Sequence, residues 1–180
     1  MKKDGIILLN KVKGISSFKA INQIKWNIGA SKIGHAGTLD PMAEGLMVVM
    51  VNSATKFSED LMKKDKEYYV EMELGYETDT YDAEGKKTKI YDGIIEYDEQ
   101  NVRDVINSFV GIQDQIPPMY SALKVNGRKM YEMAREGIEI ERKPRRVEIY
   151  SIRDITIKGK RITFYVEVSS GTYIRSLVRD

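Results

Sequence analysis

Two stretches of strict apolar–polar alternation constrain this chain more than any other feature. Tyr68, Val70, Met72 and Leu74 interleave with Tyr69, Glu71 and Glu73, and Ile162, Phe164, Val166 and Val168 repeat the pattern. Successive side chains of a strand point to opposite faces, so each stretch has one face for a core and one for solvent. Val147 and Ile149 alternate in the same way, and Lys158-Gly159-Lys160 separates them from the Ile162 stretch, which predicts an antiparallel hairpin. The expected class is α+β, a mixed, largely antiparallel sheet with flanking helices.

The remaining segments fit around that sheet. Residues 6–9 read as a short buried strand, and Ser16 or Ser17 as the N-cap of a helix with a stripe of Ala20, Ile21, Ile24 and Ile28 that Gly29 closes. Residues 46–51 form a six-residue apolar run, expected to be a buried strand. Ala54, Phe57, Ser58, Leu61 and Met62 keep helical spacing, with Lys56 on another face of the same turn. Val102, Val105, Ile106, Phe109 and Val110 make the clearest amphipathic helix, between an Asp98 cap and Gly111. Residues 75–89 read as a long exposed connection, whose acids do not suit a calcium loop because Tyr81 and Ala83 fall at ligand positions. Residues 121–125 are strand-like before an Asn126-Gly127 turn, a short helix is expected at 129–136, and Ser170 or Thr172 would cap a last one.

Composition narrows the classes of function. With 180 residues and 42% hydrophobic content, one domain with a real core is the expectation. Cysteine is absent, which excludes a disulfide framework, a thiolate zinc site and a cysteine nucleophile. That suits a reducing cytoplasm. The apolar stretch at 6–9 is too short for a signal peptide or a membrane span. A net charge of +2 says little about a polyanionic partner by itself.

Chemistry is most concentrated in Gly34-His35-Ala36-Gly37-Thr38-Leu39-Asp40-Pro41, where one acid stands among glycines and a proline beside the only histidine. The glycines permit backbone geometry closed to other residues, and Pro41 biases Asp40 toward an extended conformation. A stiff loop anchored by the 46–51 strand would present the carboxylate for reaction. Taken alone, the segment reads more readily as an ordinary loop whose aspartate caps a turn.

Further segments carry a resemblance. They are Lys66-Glu67-Tyr68-Tyr69, Pro117-Pro118-Met119-Tyr120-Ser121-Ala122-Leu123-Lys124, Tyr131-Glu132-Met133-Ala134-Arg135-Glu136-Gly137 and Ser170-Gly171-Thr172-Tyr173-Ile174-Arg175. Together with the Asp40 segment, and in this order, they resemble the TruB family, the bacterial tRNA pseudouridine synthases that modify the T-loop uridine. The resemblance implies a pseudouridine synthase-like catalytic domain over residues 1–180, incomplete at its C-terminal end and without the small RNA-binding (PUA-like) domain that family members often carry. It implies Asp40 as nucleophile, Tyr68 as active-site tyrosine and Arg175 as the arginine that pairs with the aspartate.

Each role has a physical reason. A desolvated carboxylate tends to take up a proton unless a cation stands close by, and guanidinium stays charged when lysine would not. The Tyr68 ring could lie against a uracil and its hydroxyl reach a base proton. By the same resemblance His35 stacks within the T-loop to offset base extrusion, Lys11 and Lys56 are basic positions near the RNA cleft, and Tyr173 is a pocket residue. Lys11-Val12 departs from the family's usual Lys-Pro. The expected partner is the T-arm of tRNA, bound by a monomer with no membrane, no metal and no cofactor. The alternatives are a non-catalytic tRNA-binding domain of the same descent and a carboxylate-based glycoside hydrolase, for which Glu44 is the nearest second acid.

Overall fold

A computed structural model describes residues 4–180. Their contacts gather into two compact units, one ending at Lys64 and one running from Asp65 to Asp180.

In the first unit, β1 (Gly5–Lys11), α1 (Ser17–Asn27), β2 (Ile33–His35) and β3 (Gly45–Val51) lead into a 3₁₀ segment (Asn52–Phe57) and α2 (Ser58–Met62). The strands form an antiparallel sheet in the order β1-β3-β2. Both its faces are used. Ile21 of α1 packs with Met47 and Val49, joined by Ile7, Leu9, Ile33 and Leu39, and on the other face Met50 packs with Ala36, Ala54, Val48 and Leu61. Ser16 caps α1 by accepting from the Lys19 N–H at 3.2 Å, and Gly29 turns the chain with a φ of 62°. The single helix expected over Ala54 to Met62 is instead a 3₁₀ segment followed by one short α-turn. With three residues per 3₁₀ turn the apolar stripe loses its phase, which leaves Phe57 and Met62 exposed.

The second unit contains β4 (Lys66–Glu73), β5 (Tyr76–Thr78), β6 (Lys87–Ile90), α3 (Glu99–Ser108), β7 (Gly111–Gln115), β8 (Lys124–Val125), β9 (Arg128–Lys129), α4 (Met130–Arg135), β10 (Arg145–Lys158), β11 (Arg161–Val168) and α5 (Ile174–Arg179). Its main sheet is antiparallel throughout, in the order β4-β11-β10-β7. The alternating residues meet as expected: Val70, Ile149, Ile162, Phe164, Val166 and Val168 form one cluster with Ile106 of α3 and Leu177 of α5. The fold is α+β. Asp98 caps α3 through the Asn101 N–H at 2.9 Å, but Val105 and Val110 of the expected stripe stay exposed. A satellite cluster of Met119, Met130 and Met133 lies under α4. The β8–β9 hairpin turns through Asn126 and Gly127, with φ of 51° and 82°, the geometry for which Asn-Gly is suited.

Residues 75–89 depart from expectation. They are not an open connection but a hairpin, β5–β6, with Thr78 buried. Several polar groups of that stretch bond one another around Asp79 and Asp82, whereas every residue of β6 is exposed, as expected. The final helix also starts later than expected, with Tyr173 rather than Ser170 or Thr172 at its N-cap.

Candidate active site

Asp40 lies half-buried in the loop between β2 and β3, and the loop is fastened on both sides of it. On the N-terminal side, Ser17 donates its hydroxyl to the Leu39 carbonyl at 2.7 Å and accepts from the Leu39 N–H at 2.9 Å. On the C-terminal side, the Pro41 carbonyl accepts from the Gly14 N–H at 2.8 Å and from the Lys11 ammonium at 3.2 Å. Ser17 is therefore not the helix cap that it could have been. It is a buried strap between the first turn of α1 and the acid's loop. Gly34 sits in β2, where an added Cβ would meet the Thr55 side chain and the Met50 methyl at ordinary distances of 3.5 to 3.9 Å, so the loop does not depend on glycine there.

Lys11 is 1% exposed, and its ammonium also donates to the carbonyls of Val12 at 3.1 Å and Ile15 at 2.9 Å. A phosphate contact would require it to leave three acceptors. Lys56 is exposed, with its ammonium 5.0 Å from the centroid of the Phe57 ring. His35 ends β2 and accepts the Gly37 N–H at Nδ1, 3.3 Å away, so the neutral ring carries its proton on Nε2.

Tyr68, Tyr173 and Arg175 belong to the second unit. Tyr68 is half-buried on β4, opposite Val166, and packs against the core. Tyr173 and Arg175 begin α5. Gln115 of β7, itself buried, holds the Tyr173 backbone like a fork, accepting its N–H at 2.8 Å and donating to its carbonyl at 3.1 Å. Arg175 donates from Nη1 to the Thr80 carbonyl at 2.8 Å and from Nη2 to the Tyr120 carbonyl at 2.9 Å. The Asp82 carboxylate lies 3.7 Å from Nη1, and the two side chains are only 13% and 11% exposed. A guanidinium this buried is tolerated because hydrogen bonds and an opposite charge meet it together.

Residues 25–174 match the model of the TruB family pseudouridylate synthase (N terminal domain). The chain belongs to the TruB family. "tRNA pseudouridine synthase B" of Fusobacterium nucleatum is 48% identical over 177 residues, and that of Clostridium kluyveri is 45% identical. Each alignment takes in 98% of this chain and 61% of the relative, so the chain spans about three-fifths of their length. Among solved structures, a Cbf5-Nop10-Gar1 complex aligns with a TM-score of 0.72 and 30% identity, covering 97% of this chain and 42% of that one. An H/ACA RNP bound to a substrate RNA containing 2'-deoxyuridine aligns with a TM-score of 0.67 and 27% identity, covering 97% and 40%.

Within this TruB-family chain, reading the sequence alone missed three residues that hold candidate residues in place, each within its own unit. Asp82 lay in a stretch read as solvated, Gln115 in a strand too short to signal itself, and Ser17 was one of two interchangeable caps. The Thr80 hydroxyl and the Glu84 N–H bond one Asp82 oxygen at 2.6 and 3.0 Å, leaving the other for Arg175. Thr80-x-Asp82-x-Glu84, with each residue bonding the next acid or amide, was the available signal. No group of three or more His, Cys, Asp or Glu among the described residues is arranged to hold a metal ion. No helix among them is long and apolar enough to cross a membrane.

Proposed function

We propose that the chain carries the catalytic groups of a tRNA pseudouridine synthase, isomerising the uridine at position 55 in the T-loop of tRNA. The observation that carries the reading is the Asp40 carboxylate on a loop strapped at Leu39 and at Pro41, within a chain of the TruB family. A nucleophile must be held near its productive geometry by its own scaffold, and these bonds do that. The bond from uracil N1 to ribose C1′ breaks, the base turns, and a bond from C5 to C1′ forms. The proton leaves C5 and N1 gains one, so no atom is gained or lost overall.

On this reading Asp40 attacks either C1′ or C6, Arg175 keeps it ionised, and Tyr68 lies against the uracil. His35, with its proton on Nε2, fills the gap left by the extruded base, and Tyr173 lines the pocket. Lys56 adds to phosphate neutralisation. The reaction on this route needs no cofactor. The test is incubation with an unmodified T-arm stem-loop and detection of pseudouridine by mass spectrometry after selective labelling. Asp40→Asn abolishes turnover while RNA affinity stays within about tenfold, because base chemistry and phosphate contacts are separate contributions. Absence of product at stoichiometric protein, with affinity retained, identifies a tRNA-binding domain without activity.

A further inference from the structure

Two of the groups that hold the Arg175 guanidinium flank a single residue. The Thr80 carbonyl precedes Tyr81 and the Asp82 carboxylate follows it, and both address the same Nη1. The chain must turn back between them, and Tyr81 does so with a φ of 60°. That left-handed conformation is disfavoured for a residue with a bulky side chain, and tyrosine lacks the short polar group with which Asn or Asp eases it. Something outside the turn must hold it there.

The tyrosine side chain shows what does. Its hydroxyl accepts from Arg142 Nη1 at 3.3 Å, and the same nitrogen donates to the Pro117 carbonyl at 3.2 Å. The Arg179 guanidinium stands 4.6 Å from the ring centroid. Burial pushes the hydroxyl's pKa up, but the hydrogen bonds and charges of Arg142 and Arg179 outweigh it and hold it below the usual tyrosine value. Two cations thus pin the ring, and the ring pins the turn that presents Thr80 and Asp82.

We propose that Tyr81 is a positioning residue that fixes Arg175 in one orientation by keeping the Thr80 carbonyl and the Asp82 carboxylate on it together. The Tyr81 side chain is engaged by Arg142 and Arg179, and the residue acts on the Asp82–Arg175 pair through its backbone. The kinetic consequence rests on the proposed function, whereas the orientation of Arg175 does not.

The experiment is nitrogen-15 NMR of the arginine side chains in this chain, with the Arg175 signals identified by their loss in Arg175→Lys. The wild type is expected to show separate, slowly exchanging Nη signals for Arg175. Tyr81→Phe, which keeps the ring but loses the Arg142 bond, broadens them, and Tyr81→Gly averages them. Glycine adopts the turn without strain, which offsets part of the loss of the ring's contacts with Arg142 and Arg179. A role confined to stabilising the turn predicts the reverse, sharp Arg175 signals with glycine in place. In a pseudouridine assay kcat falls about tenfold in Tyr81→Phe with KM unchanged, and Arg142→Gln adds nothing further to it. Arg175 signals that stay separate in both Tyr81 variants, or that are already averaged in the wild type, overturn the proposal whatever the rate does. Should the wild type form no pseudouridine, the proposed function fails and the NMR comparison still decides this inference.

Discussion

Lys11 and Lys56 carry the same charge and lie in opposite surroundings, and the difference is measurable. Removing the Lys11 ammonium leaves the Val12, Ile15 and Pro41 carbonyls without that donor. Lys11→Met is expected to lower stability by about 2–4 kcal/mol in equilibrium denaturation, since each buried acceptor left unmet costs about 1–3 kcal/mol and Gly14 still serves Pro41. Lys56→Gln should leave stability within about 0.5 kcal/mol and flatten the dependence of log tRNA affinity on log salt by about one unit. Tyr81 offers a second residue-scale measurement. Its pKa is lowered by folding, so its contribution to stability is present above the ordinary tyrosine value and is lost as pH falls through the lowered one. In an ultraviolet titration Tyr81→Phe should remove a tyrosinate signal that appears below the ordinary tyrosine range, and Arg142→Gln should move it back up. Asp40 was legible in the sequence because its neighbours are unusual. Asp82 was not, because what distinguishes it is a guanidinium contributed from α5, and partners that distant leave no local trace.

At the scale of elements, alternation was the reliable signal. The strands β4, β10 and β11 follow it because one face of each is fixed by the core and a one-residue slip would expose every apolar side chain. Elements of two to five residues, such as β2 and β7, carry too few positions to show a period. They are defined by pairing with longer neighbours. The helical spacing from Ala54 onward misled because its first step, Ala54 to Phe57, fits a period of 3.0 as well as one of 3.6, and the two periods part only farther along. The bond pair between Ser17 and Leu39 joins one element to the loop of another. Ser17→Ala is expected to lower stability by about 1–3 kcal/mol. It should reduce pseudouridine formation more than tRNA affinity, a split that comparing single-turnover rates with binding isotherms would detect.

For the molecule as a whole, charge is partitioned along the chain. Residues 1–64 contain ten lysines and no arginine against five acids, a net +5, while residues 65–180 contain 19 basic and 22 acidic residues, a net −3. The total of +2 hides this division. Replacing exposed Lys13, Lys19 and Lys32 by glutamine is expected to flatten the salt dependence of tRNA binding more than replacing Lys86, Lys87 and Lys89, in titrations at several salt concentrations. The register of the two sheets has a further consequence, for synthesis. Every strand of the first sheet has its partner once Val51 has been made, whereas Lys66 of β4 pairs with Val168 of β11, near the far end of the chain. On the ribosome, the acid's loop can close early, while β4 waits unpaired for about a hundred more residues to emerge, a span over which loop closure is entropically slow and a chaperone has most to shield.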